Sequence, residues 1–484
     1  MATGFPSAPP VIIQGGMGVG VSSWQLARTV SATGQMGVVS GTALDIVLAR
    51  RLQDGDPGGH ARLALKHCPL PELAARVLER WFRPEGRGGR PYSPGPRLGL
   101  RGNTVGDDLA VAGNFVEVWL AKQGHDGPVG INFLEKIQLA TPAAAYGAIL
   151  AGVDYVLMGA GIPRDIPSLL TALSRNTPGG VWVDVAGGDR QWHELDPRTV
   201  TRGSDPELRR PRFLAIVSGQ ALAVYLNRDE ATRPDGFVVE GPTAGGHNTP
   251  PRGRLQLDGT GQPVYGPRDS ADLRQVAAVG LPFWVAGGYG EPERVQAALD
   301  AGATGVQVGT LFALCRESGL LNDLRHQLLS RLRDGTLDVR TDPAASPTGF
   351  PFKVARLPGT LTDPEVYAAR PRLCDLGYLR TPYAREGGAI GYRCPAEPID
   401  VFIRKGGDAS NTAGSVCLCN ALTGDVGLSQ QRKDGYVELP LVTLGSDLGG
   451  ALALDRLTGA DDEGWTARQA IEWLLGDRSE PGSA

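Results

Sequence analysis

The sequence predicts an α/β chain built on a (β/α)8 TIM barrel, with a helical insertion and a C-terminal cysteine-containing region. Three observations carry this. Eight short apolar runs, many of them β-branched, end in small residues and alternate with helical periodicity. The runs are continuous, as in strands of a parallel sheet buried on both faces. Eight such units over about 330 residues fit a barrel with insertions.

The first strand is 11–14 (VIIQ), followed by a helix that Ser22 or Ser23 caps and that runs to about Val30. Then come 36–40 (MGVVS) and 129–133 (VGINF). Thr141 caps the next helix, Pro142 opens it and Gly152 closes it before the strand 155–158 (YVLM). The set is completed by 213–217 (FLAIV), 236–240 (GFVVE), 283–286 (FWVA) and 305–308 (GVQV).

Two stretches break the repeat. Residues 42–126 are too long for a βα loop and carry helical patterns, which predicts a helical subdomain or lid. Residues 179–210 begin with VWVDV and then turn polar; they read as a hairpin in preference to the fifth barrel strand. The barrel should span 9–335 and a separate C-terminal region 336–475, with 476–484 a disordered tail.

Of the 484 residues, 41% are hydrophobic and 21% charged, so a buried core is expected. The net charge of −4, with no long single-sign run, argues against nucleic-acid or anionic-membrane partners. The first ten residues hold no Lys or Arg ahead of an apolar run, and no apolar stretch reaches membrane-spanning length. A cytoplasmic protein is therefore expected.

The strongest chemical signal runs from Phe283 to Thr310, where Gly287-Gly288 and Gly309-Thr310 follow two successive strands. Glycines there let backbone N–H groups approach an anion, and a barrel's phosphate site commonly lies after its last two strands. A second signal follows the sixth strand, where Gly245 and Gly246 precede His247. The backbone at such glycines can pack against a flat cofactor, and an imidazole titrating near neutrality suits proton transfer.

Gln14-Gly15-Gly16-Met17, Gly130-Ile131-Asn132, the AGGH of 244–247, the AGG of 286–288 and the GVQVGT of 305–310 resemble, in order, the nitronate monooxygenase (2-nitropropane dioxygenase) superfamily. The longer stretches GINFLEK, DYVLMGAGIP, VEGPTAGGH and FWVAGGYG are similar to the FMN enoyl-reductase subunit of polyunsaturated-fatty-acid synthases. The resemblance implies FMN, held by Gly16, Met17, Asn132, Ser218, Gly245, Gly246, Gly287, Gly288, Gly309 and Thr310, with catalysis at His247. It implies oxidation of nitronates or related carbon acids. Its other branch would reduce enoyl thioesters with NAD(P)H, taking an acyl-thioester substrate with an acyl carrier protein as partner. A homodimer is a further expectation.

Other signals weigh less. Lys136 and Arg252 read as candidate contacts for anionic substrate groups, against the commoner reading of solvated cations. Gly16 to Gly20 follow a strand, but their spacing is wrong for a dinucleotide loop and the next strand ends without an acid. Gly187-Gly188 copies the phosphate turn without a second unit behind it and reads as a plain turn. Cys374, Cys394, Cys417 and Cys419 lie within a short span; four thiolates suit zinc or an iron–sulfur cluster, which would stabilise a region poor in apolar periodicity. Cys68 and Cys315 read as structural.

Overall fold

A computed structural model describes residues 9–459 and 461–476. Eight parallel strands close into a barrel: β1 (Ile12–Gln14), β2 (Met36–Ser40), β3 (Val129–Leu134), β4 (Tyr155–Gly159), β5 (Arg212–Val217), β6 (Gly236–Glu240), β7 (Phe283–Ala286) and β8 (Gly305–Val308). Each strand pairs with its neighbour in chain order, and β8 closes on β1 through Ile12 opposite Val306. All eight expected runs are barrel strands. Residues 179–210 form an antiparallel hairpin, Gly179–Val183 against Gln191–Leu195, outside the barrel.

The continuous apolar runs have two faces to fill. Inward, Ile13, Met36, Val38, Tyr155, Leu157, Leu214, Val238 and Trp284 fill the barrel as one cluster. Outward residues such as Ile12, Val39, Phe213 and Val285 pack with the surrounding helices in a larger core. Glycine lets helix and strand close up. A Cβ on Gly37 would lie 1.9 Å from the Ala27 carbonyl oxygen, and one on Gly305 would lie 1.9 Å from that of Val11.

Between β2 and β3 stand helices Leu44–Gln53, His60–Lys66, Pro71–Trp81 and Thr104–Ala121. Leu109, Val111, Phe115 and Val118 of the last are buried in the outer core, so these helices pack onto the barrel. After the barrel, Val339–Asp342 pairs with Phe352–Ala355 and Thr381–Ala384 pairs with Ile390–Arg393, both antiparallel. The chain then returns to the barrel through helices Gly449–Thr458 and Ala467–Leu475, where Trp465 donates to the Leu311 carbonyl at 2.8 Å. Among the described residues no helix is long and apolar enough to cross a membrane. The tail expected at 476–484 lies, beyond Gly476, outside the described residues.

The cysteine region differs from expectation. Cys374, Cys394, Cys417 and Cys419 fall within electrostatic range of one another. Among the described residues, however, no three His, Cys, Asp or Glu side chains gather as a metal-binding group. Burial pushes Cys374 up to about 11 and Cys394 higher still, whereas the Cys417 thiol hydrogen bond lowers Cys419. Arginines supply the cross-links instead. Arg372 donates to the carbonyls of Glu397, Thr412 and Pro395, and Arg370 to that of Ser415.

Candidate active site

The C-terminal ends of the barrel strands surround a cavity of about 220 Å³. Gly16, Met17, Asn132, Gly245, Gly246, His247, Gly287, Gly288, Gly309 and Thr310 all line it. Ser218 does not. It lies in a small adjoining pocket with Pro242, Asn248, Arg252 and Tyr265. That pocket shares Glu240 with the main cavity.

The wall begins at β1. Gln14 is fully buried and ties the strand down, its amide bonding Ser22 Oγ and the Val38 carbonyl. Ser22 Oγ in turn accepts from the Met17 N–H at 2.9 Å, which turns the Gly15–Met17 backbone across the barrel mouth. A Cβ on Gly16 would lie 2.4 Å from Asn132 Cβ, so the small residue lets β1 and β3 present Asn132 to the cavity.

Two polar atoms in this wall are left over. Asn132 Oδ1 and Gln307 Oε1 are buried without a hydrogen-bond partner. A buried acceptor left unpaired costs on the order of 1–3 kcal/mol, so each calls for a donor from whatever fills the cavity. Gln307 lies inside the GVQVGT stretch, and its signal was a polar residue in an otherwise apolar buried strand. Gly287 and Gly288 have φ of 89° and 83°, which side-chain-bearing residues rarely adopt, and they turn the chain sharply after β7. Arg294 fixes that turn by donating from Nη1 to the Gly288 carbonyl and to Asp447, both at 2.8 Å.

The opposite wall comes from beyond the barrel. The loop after β6 is stitched to two C-terminal segments: Asn248 N–H donates to the Pro351 carbonyl at 2.8 Å and Lys353 N–H to that of Gly246 at 2.9 Å. Gly246 N–H donates to Thr443 Oγ1 at 2.8 Å, and Gly445 N–H to Thr310 Oγ1 at 3.0 Å. A Cβ on Gly245 would lie 2.9 Å from the Leu444 carbonyl carbon, so that glycine accommodates backbone of this same chain. Ser346, Phe352, Lys353, Thr443, Gly445 and Asp447 were missed by sequence reasoning, because their segments carry no periodicity and no spacing that ties them to the barrel.

His247 sits between these walls. Its Nε2 is 2.7 Å from Ser346 Oγ, and its ring meets Phe352 edge-on at 4.8 Å. Burial, reinforced by the charge of Lys136, holds the imidazole down to about 4, so it is neutral at physiological pH. Lys136 itself pairs with Glu135 at 3.3 Å and lies 4.3 Å over the Phe350 ring. Burial raises Glu240, at the end of β6, to about 8 although Lys353 opposes it; Lys353 is lowered to about 8 by burial. A neutral base and a protonated carboxyl thus line one cavity. Arg252 lies away from it, its guanidinium 2.6 Å from where a Gly219 Cβ would be.

Residues 207–342, which hold β5 to β8 and His247, match the family model for nitronate monooxygenase. A nitronate monooxygenase of Pseudomonas aeruginosa is 33% identical over 186 residues, 35% of this chain and 50% of that protein. The second half of the barrel is thus similar to nitronate monooxygenases. A second relative, from Rhodococcus jostii, is named (3aS,4S,5R,7aS)-5-hydroxy-7a-methyl-1-oxo-octahydro-1H-indene-4-carboxyl-CoA dehydrogenase. It is 31% identical over 142 residues, 29% of this chain and 34% of that protein. The chain thus spans between a third and a half of the length of the curated relatives it matches. Among solved structures, FabK from Thermotoga maritima aligns over 97% of this chain and 93% of its own, with 17% identity and a TM-score of 0.47. A nitroalkane oxidase from Streptomyces ansochromogenes aligns over 97% and 96%, with 16% identity and a TM-score of 0.47.

Members of the nitronate monooxygenase superfamily use FMN, and the residues present fit that group. Asn132 Oδ1 and Gln307 Oε1 are acceptors without donors, suited to ring N–H groups. The corners at Gly287-Gly288 and Gly309-Thr310 line the same cavity, and a Cβ on Gly246 would enter open space.

Proposed function

We propose that the chain is an FMN-dependent oxidoreductase that oxidises nitronates or related carbon acids, with His247 as its acid–base residue. One observation carries the reading: a histidine kept neutral by burial lines the same cavity as two orphaned acceptors and two glycine corners. FMN, when bound, supplies a two-electron acceptor. Asn132 and Gln307 would hold its ring, and the corners after β7 and β8 its phosphate.

The chain's own residues do the rest. His247 accepts a proton from an acidic C–H or hydrogen-bonds the anion already formed. Lys136 lends positive potential to an anionic substrate near the imidazole. The segments 346–353 and 443–447 cover the loop after β6 and limit the water that reaches His247. Because His247 stays neutral down to about 4, the acid limb of the pH–rate profile of the free enzyme is expected near that value, not near 6.5.

A second reading, an NAD(P)H-dependent enoyl-thioester reductase, has its own support. Two of the curated relatives are named for a CoA-thioester dehydrogenase, and the protonated Glu240 offers a second acid at the cavity. Anaerobic mixing of FMN-loaded protein with propyl-2-nitronate, and separately with NADH or NADPH, separates the two. Bleaching of the flavin band by the nitronate alone supports the first reading, and bleaching by a nicotinamide alone supports the second. A flavin that neither reagent reduces contradicts both.

A further inference from the structure

A base that takes a proton at one ring nitrogen becomes a cation unless the other nitrogen gives one up. Around His247 that cation is disfavoured twice, by burial and by the Lys136 charge. The carboxylates Glu291 and Asp447, which line the same cavity, both pair with Arg294. Glu135 is paired with Lys136, Glu240 is held protonated by burial, and Lys353 is itself a cation. Whatever proton His247 takes up has to leave by the ring's far side.

The far side has an outlet. His247 Nε2 lies 2.7 Å from Ser346 Oγ, and Ser346 Oγ lies 2.8 Å from Thr348 Oγ1. Ser346 is 3% exposed, whereas Thr348 is only half-buried, so the two hydroxyls lead from the ring toward solvent. We propose that Ser346 and Thr348 form a two-hydroxyl relay carrying a proton between His247 and bulk water. The relay rests on the reading of His247 as the acid–base residue.

Hydrogen-bond accounting gives the relay a direction. The Thr348 N–H donates to Ser346 Oγ at 3.3 Å, using one of its lone pairs. With Nε2–H donating to the second, the Ser346 hydrogen is left for Thr348 Oγ1. That arrangement puts the imidazole proton on Nε2 and leaves Nδ1, which has no partner among the described residues, as the base. When a substrate C–H bond breaks, its proton goes to Nδ1 and its electron pair stays on carbon. The Nε2 proton passes to Ser346, the Ser346 hydrogen to Thr348, and the Thr348 hydrogen to water. One proton enters, one leaves, the ring never holds a net charge, and no electrons travel along the hydroxyls. The starting tautomer returns after the product departs, when Nδ1 releases its proton to solvent and the relay runs backward to bring one from water to Nε2.

Ser346 is not needed to hold the loop in place. The backbone bonds of Asn248 and Lys353 and the edge-on Phe352 ring already do so. Its hydroxyl is therefore separable from the fold.

The test uses FMN-loaded protein with nitroethane as substrate in H₂O and D₂O. Ser346→Ala should lower kcat by about 10-fold or more and change the solvent isotope effect on kcat, with KM and flavin content unchanged. Ser346→Thr should restore most of the rate. Thr348→Val, which keeps the His247–Ser346 bond, should show a smaller loss of the same kind, and it serves as the probe if Ser346→Ala fails to fold. Wild-type kcat and isotope effect in both variants, with His247→Ala inactive, would overturn the relay and leave the proposed function standing. Full activity in His247→Ala would overturn the function itself.

Discussion

The two walls of the cavity are built by opposite means. On the barrel side, Asn132, Gln307 and the glycine corners end strands that are paired on both edges and buried on both faces. On the far side, residues 346–353 and 443–447 belong to no large sheet and are fixed by single backbone and hydroxyl bonds to the loop after β6. The barrel side therefore supplies rigid placement. The far side supplies Ser346 and Phe352, which contact the His247 ring.

Breaking each side should cost different things. The largest effect belongs to His247, where both walls meet: His247→Ala should lower kcat/KM by about 10²–10⁴-fold in steady-state assays while the flavin stays bound. Next comes the barrel frame. Gly305→Ala would place a Cβ 1.9 Å from the Val11 carbonyl oxygen across the β1–β8 seam, and a loss of about 3 kcal/mol or more is expected in urea unfolding. An unchanged midpoint would mean that the closed seam is wrong.

The far side should give way more gently. Arg372→Ala frees the carbonyls of Pro395, Glu397 and Thr412, costing about 1–3 kcal/mol, with faster amide exchange confined largely to residues 394–415. The pH dependence sharpens the contrast further. His247 binds its proton near 6.5 when unfolded and near 4 when folded, so its contribution to stability falls as pH drops from 6.5 toward 4. Glu240 works in the other direction: neutral in the fold up to about 8 and ionising near 4.5 when unfolded, it lowers stability as pH rises through that window. Glu240→Gln should flatten the alkaline side of a thermal-melt series and leave the acid side alone. The smallest effect is none at all: EDTA should leave the melting temperature unchanged, since among the described residues Cys374, Cys394, Cys417 and Cys419 form no metal-binding group.

The same contrast explains what the sequence disclosed. Barrel strands were legible because a strand buried on both faces needs a run such as VGINF or FWVA, with few alternatives. Their end residues followed, since Gly287, Gly309 and His247 stand at fixed steps beyond the runs. Nothing comparable marks the far side. Ser346 sits in AASPTG, which reads as an ordinary turn, and Thr443 sits in a stretch without a helical or strand period. Their roles depend on a chain return that only packing decides. The cysteines misled for a related reason: proximity in sequence and even in space does not amount to ligating geometry, and arginine-to-carbonyl bonds do the work assigned to a metal. Ser218 lines a smaller pocket beside the main cavity.

The account stands on the barrel mouth being a flavin site, and a titration tests that directly. Flavin-free protein is mixed with FMN while flavin fluorescence is followed, alongside Asn132→Ala and Gln307→Ala. Saturable one-to-one binding that weakens by about 10-fold in each variant, as loss of a hydrogen bond of 1–2 kcal/mol requires, is the predicted result. Folded protein whose fluorescence trace matches FMN in buffer, or variants that bind as tightly as the parent chain, would contradict it.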